Sequence, residues 1–238
     1  MVESAKDIIL ERFIKNNIPL SHIEGKKVLD MGSGSGRYSC ALSLLGAGHV
    51  VAIDWGEIGL AQGRHLSDVY KLSNIEFKKH SFLNLPFADN TFDFVFCNGT
   101  VHHSEDMVKS ISELHRVLKA GKNSWIYVYG SGGVFWSILR EFNDLIKRIY
   151  ISKEYAMKVL EIIGMPRERY IFIDHWYVPI FIHSSKDYFE EILFKTGFTS
   201  FRRCDMGRET DLDNLVIHGT DNDRRMWGDG DLRYLVKK

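Results

Sequence analysis

A doubly wound α/β fold built on a mainly parallel sheet is the architecture this sequence predicts, and three observations carry it. Short apolar runs alternate with helix-like segments from about residue 27 to residue 129. The run Val28-Leu29-Asp30-Met31 breaks into Gly32-Ser33-Gly34-Ser35-Gly36, the pattern of a strand turning tightly into a helix. A second run, Val50-Val51-Ala52-Ile53, closes on an acid, Asp54. Alternation of this kind packs helices on both faces of a parallel sheet and puts ligands at the carboxyl ends of its strands.

The elements follow in order. Ile8, Ile9 and Phe13 recur at helical spacing over residues 4–16, before Pro19. A strand near 27–31 leads to a helix at 36–45, a strand at 49–54, a helix at 57–71 and strands at 75–81 and 93–98. Met107, Ile111, Leu114 and Leu118 then mark a core-facing helix over 106–119, with Gly121 suited to its C′ position, and a strand over 124–129. The stretch 131–183 is rich in aromatic residues, among them Phe135, Trp136, Tyr150, Tyr177 and Phe181, and is expected to form a cap over an acceptor pocket. Tyr188, Phe189, Ile192 and Leu193 mark another amphipathic helix that stops at Gly197.

Composition narrows the function. With 238 residues, 45% of them hydrophobic, the chain can bury one large core with a modest elaboration. Lys plus Arg and Asp plus Glu both number 31, so no bulk field draws a polyanion and nucleic acid is not the expected partner. Cys40, Cys97 and Cys204 lie far apart without metal-ligand spacing, which predicts no metal and fits a reducing, cytoplasmic location. The first residues carry acids and no apolar stretch, and the longest uncharged run, Asn123 to Leu139, is interrupted by Gly130, Gly132 and Gly133. No signal segment and no membrane partner are expected.

The glycine turn carries the chemistry. Without Cβ atoms its backbone amides can approach a ligand from a helix N-terminus. Asp30 just before it disfavours a pyrophosphate and favours a cation such as an ammonium or sulfonium. A dinucleotide fingerprint wants a small residue at the place of Arg37, so the bulky cation is a departure. Asp54 suits ribose hydroxyls in either cofactor class. Trp55 suits either an adenine face or the core.

Glycines spaced G-x-G-x-G after an acid resemble motif I of the class I S-adenosylmethionine-dependent methyltransferases. The run from His80 to His103, with Leu85-Pro86-Phe87 and Phe92-Asp93 before the fourth strand, is similar to the methyltransferase-11 pattern. Leu114-His115-Arg116-Val117-Leu118-Lys119-Ala120-Gly121 resembles that family's L-x-R-V-L-K-P-G-G segment, with Ala120 and Lys122 as departures. The resemblance covers residues 26–130. It implies a Rossmann-like doubly wound seven-stranded sheet, mostly parallel with an antiparallel final strand, plus a helical and aromatic cap insertion. Residues 198–204 and 231–236 look like its closing strand pair. One domain, 1–238, is expected, with a cofactor-binding core at about 20–130 and 184–238 and the cap at about 131–183.

The same resemblance implies S-adenosylmethionine as cofactor and S-adenosylhomocysteine as product. Asp30, Gly32, Ser33, Gly34, Gly36, Asp54, Trp55, Ser81, Phe82, Asn98 and Gly99 are its expected contacts, and the leading helix would fold over it. Ser81 departs from the acid usual at that place. His102 or His103 would face the donor methyl, and an imidazole titrating near ~6.5 suits proton abstraction, with His103 the first choice. Tyr38, His175 and Tyr177 are the candidate acceptor contacts. Arg202, Arg203, Arg208, Arg224 and Arg225 could hold an acceptor phosphate.

No Asp/Asn-Pro-Pro-Tyr/Phe motif stands at Asn98-Gly99-Thr100-Val101, which argues against methylation of nucleic-acid bases. Expected, then, is O-methylation of a small molecule. The segments His175–Pro179 and Gly230–Tyr234 resemble methyltransferases of bacterial surface-polysaccharide biosynthesis, which implies a nucleotide-linked sugar or a phosphorylated capsule precursor as acceptor. The rival readings are an NAD-dependent oxidoreductase and a non-catalytic S-adenosylmethionine-binding protein. Oligomeric state is not encoded in any pattern found.

Overall fold

The computed structural model of the chain describes residues 1–164, 173, 175–205, 207–208, 211 and 216–238. Helix α1, Val2–Lys15, precedes a seven-stranded sheet. Its first half alternates β1 (Lys27–Met31), α2 (Arg37–Leu44), β2 (His49–Asp54), α3 (Glu57–Val69) and β3 (Ile75–Lys79). Next come β4 (Phe92–Asn98), a 3₁₀ turn at Val101–His103, α4 (Met107–Val117) and β5 (Leu118–Tyr129). Helices α5 (Gly133–Ile149) and α6 (Lys153–Ile162) follow, and the chain closes with α7 (Lys186–Thr196), β6 (Ser200–Arg203), α8 (Asp221–Trp227) and β7 (Asp231–Lys237).

The strand order is β3-β2-β1-β4-β5-β7-β6. All pairs from β3 to β5 are parallel, while β7 runs antiparallel to both β5 and β6. The order reverses between β1 and β4, which opens a crevice at their carboxyl ends.

Strand periodicity divides the core between the two faces. Leu29 and Met31 pack with Val95, Ile111, Leu114, Phe189 and Leu193 on the α4 and α7 side. Val28 packs with Ile9, Phe13, Ala41, Phe94 and Trp125 on the α1 and α2 side. Phe13 of α1 lies edge-on to Phe94, ring centroids 6.2 Å apart, and 5.8 Å from Trp125. A separate cluster of Trp136, Leu139, Ile146, Ala156, Leu160, Ile173 and Trp176 joins α5 and α6 to the segment after them.

Two local expectations are corrected. Gly121 is not a helix C′ residue: α4 ends at Val117, and Leu118 already pairs with Phe92 as strand, so Gly121 is a positive-φ irregularity inside β5. Ser81 lies beyond β3, which ends at Lys79. Gly36 meets a packing demand. It sits at φ +77, and a Cβ there would stand 2.5 Å from the Gly63 Cα of α3, so it permits the close approach of α2 to α3.

Candidate active site

The turn after β1 is tied to the end of β2. The Gly32 and Ser33 amides both donate to the Ile53 carbonyl at 2.9 Å. The Gly34 amide donates to Asp54 Oδ2 and the Gly56 amide to Asp54 Oδ1, both at 2.8 Å. Each carboxylate oxygen keeps a lone pair for a further donor. Gly34 has φ +51 and nothing within 4 Å of where a Cβ would stand, so the loop opens onto space there. Ser33 is buried, and its hydroxyl finds no hydrogen-bond partner among the described residues.

Asp30 faces the opposite way from Met31, toward α2, and is buried with Ser39 Oγ donating to its Oδ2 at 2.6 Å. Burial pushes its pKa up to about 7, against the Ser39 hydrogen bond and with a smaller push from Asp54. An acid in this state titrates near neutrality and gains from any cation brought close.

Two cavities flank this loop region. The first, about 390 Å³, has Trp55, His80, Ser81 and Phe82 on one side and His103, Ser104 and Ile180 on the other. Trp55 is 67% exposed, with the Lys79 ammonium 5.2 Å from its ring centre. Ser81 Oγ accepts from the Leu83 amide in its own turn. The second cavity, about 380 Å³, is walled by Arg12, Arg37, Tyr38, Asn98, Gly99, His103, Tyr127, Tyr129, Val178 and Arg233. Asn98 is oriented by Trp125, whose Nε1 donates to its Oδ1 at 3.0 Å, and the Gly99 amide donates to the Tyr127 carbonyl.

His103 stands in the wall of both cavities. Its Nδ1 lies 2.9 Å from the Ile180 carbonyl, which can only accept, so Nδ1 carries the proton and the neutral ring's lone pair is on Nε2. His102 meets the reverse environment. It is fully buried, its ring 3.8 Å from that of Tyr129 and 4.2 Å from that of His103, and neither of its nitrogens has a partner among the described residues. Burial holds its pKa well below the ordinary histidine value. Lining neither cavity, it is withdrawn as a candidate base.

The expected acceptor contacts separate. Tyr38 lies in the second cavity. His175 is buried in the cap, stacked on Tyr129 at 4.5 Å. The Tyr177 hydroxyl lies 3.0 Å from the Ile151 carbonyl and 2.9 Å from that of Ser152, which fastens the cap internally. The expected phosphate arginines are spent elsewhere: Arg202 on the Asn16 carbonyl, Arg203 on that of Asp229, Arg208 on Glu11 and Arg224 on Asp221. Arg225 is exposed on α8.

Sequence reasoning missed Arg12, Arg233, Tyr127 and Tyr129, and it saw Arg37 only as a departure from a fingerprint. Arg12 makes a bidentate pair with Asp211 at 2.9 and 2.8 Å. Arg233 pairs with Asp231 at 2.6 Å, reaches Asp211 at 3.7 Å and lies 4.7 Å over the Tyr127 ring. The Tyr127 hydroxyl donates to Asp231 Oδ1 at 3.0 Å. Among the described residues Arg12, Arg37 and Arg233 line this cavity, and Arg37, stacked 4.8 Å from the Tyr38 ring, is the exposed one of the three. A usable signal was the i, i+2 spacing of Tyr127 and Tyr129, which puts both on one face of β5.

Residues 22–164 match the family described as "Methyltransferase domain". The chain is 32% identical over 123 residues to a tRNA U34 carboxymethyltransferase of Campylobacter hominis, covering 51% of this chain and 43% of that protein. It is 29% identical over 180 residues to the ubiquinone/menaquinone biosynthesis C-methyltransferase UbiE of Haemophilus ducreyi, covering 74% and 66%. It spans less than two thirds of the length of such relatives. An S-adenosylmethionine-dependent methyltransferase structure from Mesorhizobium loti superposes with TM-score 0.63 at 14% identity over all of both chains. The YcgJ protein of Bacillus subtilis superposes with TM-score 0.60 at 14% identity over 94% of this chain and 98% of that one.

Proposed function

Because the chain belongs to the class I S-adenosylmethionine-dependent methyltransferases, we propose that it transfers a methyl group to an oxygen of a small anionic acceptor. The acceptor class that fits the reading is a phosphorylated or nucleotide-linked sugar, such as a precursor of a bacterial capsule. Residues of about 131–183 act in this reading as an acceptor-side cap on a single domain, 1–238, whose cofactor-binding core is formed by about 20–130 and 184–238. Its partner is a small molecule and its location the cytoplasm. Among the described residues no helix is long and apolar enough to cross a membrane.

The residues present fit the donor. The Asp54 carboxylate is fixed by two amides with acceptor capacity left over, the loop at Gly34 opens onto space, and the buried Ser33 hydroxyl lacks a partner among the described residues. Trp55, Ser81 and Phe82 would hold the adenine in the first cavity, Asp54 the ribose, and Asn98 and Gly99 the amino-acid end. When bound, the donor supplies an electrophilic methyl group on a cationic sulfur. The remaining work falls to the chain. Orientation of two reactants contributes on the order of 7–11 kcal/mol, and a base is needed only where the acceptor is a weakly acidic hydroxyl.

The single observation that carries this reading is that His103 belongs to both cavities, with Nε2 as the basic nitrogen. It is the one proposed catalytic residue, its tautomer held by the Ile180 carbonyl. Arg37 and Tyr38 would take the acceptor's anionic group. Relatives named for quinone biosynthesis and for sterol methylation support methyl transfer to small molecules.

Calorimetry and an S-adenosylhomocysteine release assay test this together. S-Adenosylmethionine should bind and NAD should not, and phosphorylated sugars should drive release that their dephosphorylated counterparts do not. Binding of NAD alone would favour the oxidoreductase, and donor binding without release from any acceptor would favour a non-catalytic binding protein.

A further inference from the structure

Helix α5 is apolar on two neighbouring faces. Trp136, Leu139 and Ile146 are buried in the cluster shared with α6. On the face beside them, Ile138, Phe142, Leu145 and Ile149 are 45, 44, 41 and 55% exposed. Phe142 stacks on Trp176 at 5.1 Å and still keeps that exposure. The first turn of the helix is occupied, with Phe135 5.0 Å from the Trp227 ring of α8, so the open stripe begins at Ile138. Its members recur four, three and four residues apart, the d-a-d-a spacing of a coiled-coil seam. Single exposed apolar residues need no explanation, whereas a row of them along one helix face marks an interaction surface.

The charges beside the seam identify what covers it. With Ile138 and Leu145 at d and Phe142 and Ile149 at a, Glu141 and Arg148 take successive g positions, and both are exposed. Among the described residues neither has an ion-pair partner, and Arg148 Nε lies 3.4 Å from the Asp144 carbonyl of its own helix. The e positions, Leu139 and Ile146, are buried. A parallel partner would be aligned by contacts from g to e, which these buried residues do not offer, so the free flank suits an antiparallel partner aligned from g to g. Opposite signs one heptad apart are self-complementary under a two-fold axis, which matches each Glu141 with an Arg148. A lipid surface calls instead for a strongly basic polar face, whereas α5 carries Arg140, Lys147 and Arg148 against Glu141 and Asp144. We propose that a second copy of this chain docks here, α5 against α5 in antiparallel fashion, with Phe142 on Leu145 of the partner subunit, Ile138 on Ile149 of the partner subunit, and two Glu141–Arg148 ion pairs along the flank. A pair of helices buries less than the roughly 1,200–2,000 Å² of a standard stable interface, so the dimer is reversible. The seam residues line neither of the two cavities, so the interface stands independently of the donor and acceptor sites.

Sedimentation velocity of the full chain over a concentration series should show a reversible monomer–dimer equilibrium. Glu141→Arg and Arg148→Glu should each raise the dimer Kd by about tenfold or more, since each turns two attractive contacts into two repulsive ones. Mixed in equal amounts, the two variants should form a heterodimer about as tight as the natural dimer, because the mixture restores both pairs. Leu145→Glu should abolish the dimer, with the circular dichroism of all three variants unchanged as the control for folding. A natural chain that stays monomeric overturns the proposal. So does a dimer that keeps its Kd in every variant, which would join the copies through another face, and so does a mixture that fails to regain the dimer. Monomers that sediment with vesicles of anionic phospholipid and never with each other would give the stripe to a lipid surface and overturn it as well.

Discussion

His102 and His103 are neighbours in the chain and meet opposite environments, which decides what each can do. The 3₁₀ turn points the first ring into a dry stack against Tyr129 and the second into the wall between two cavities. A pair of adjacent histidines after a strand shows in the sequence that an imidazole is available there. It does not show which of the two faces solvent, because one residue of rotation in a three-residue turn exchanges them. His103→Gln should lower turnover by about 10²–10⁴-fold with S-adenosylmethionine affinity by calorimetry unchanged. Turnover equal to the natural chain's would remove the base role. The Arg37 side chain illustrates the same limit: the motif makes it conspicuous, but its place beside Tyr38 in an arginine-lined pocket emerges only once Arg12 and Arg233 are brought to it.

At the scale of elements, the cap docks on the sheet through imidazoles and aromatic rings, with Ile182 packed against the main core. Tyr129 at the end of β5 contacts His102 and His103 from the 3₁₀ turn on one side and Trp136, His175 and His183 from the cap on the other. Among the described residues, the hydrogen bonds that hold the segment include those of the Ile182 amide to the His102 carbonyl, the Ser184 amide to the Tyr129 carbonyl, and His103 Nδ1 to the Ile180 carbonyl. Burial lowers the pKa of His102, and burial with the neighbouring His175, Arg140 and His103 lowers that of His183 to about 4. A histidine whose folded pKa is depressed favours the docked state above its free value near 6.5 and loses that contribution as the pH falls toward the folded value. Protection factors of the α5 and α6 amides, which correct for the pH dependence of intrinsic exchange, should therefore fall between pH 6.5 and 4 while those of β1 and β4 do not. An equal fall in both would mean global acid unfolding and no separate docking equilibrium. The aromatic richness of this stretch was plain in the sequence, and the expectation of a cap came from it. That His175 is buried in the cap and that the Tyr177 hydroxyl turns onto the Ile151 and Ser152 carbonyls was hidden, because alternation along an irregular segment does not fix a face.

At the scale of the molecule, the N-terminal helix is joined to the far end of the chain. Arg12 and Asp211 are 199 positions apart and form a bidentate pair, with side chains 11% and 8% exposed. Asp211 accepts from Arg12 and from the Arg208 amide, and the nearby Arg233 adds its charge, so its carboxyl is held below the usual range despite burial. Arg12→Met should lower the free energy of unfolding by about 3 kcal/mol, the low end for breaking a buried pair, since Arg233 stays at 3.7 Å. Denaturant titration measures it, and a loss below the extrapolation error would mean that the pair is solvated in solution.

The closing antiparallel strand was implied by the family resemblance, while the strand, glycine turn and helix, the acids ending β1 and β2 and the alternation of the sheet were legible in the amino-acid order. They follow from spacing along the chain, from periods of two and 3.6 and from glycine's freedom, which are local and so are written locally. The misplacement of Gly121 had a local cause as well: Leu118 fits the helical stripe equally well, and only its pairing with Phe92 draws it into β5. Tertiary structure alone decided which arginines line the second cavity and which histidine stands between the two. Each of those depends on segments from α1, β5, the cap and β7 converging on one point, and the separations that bring them together are not visible in any window of sequence.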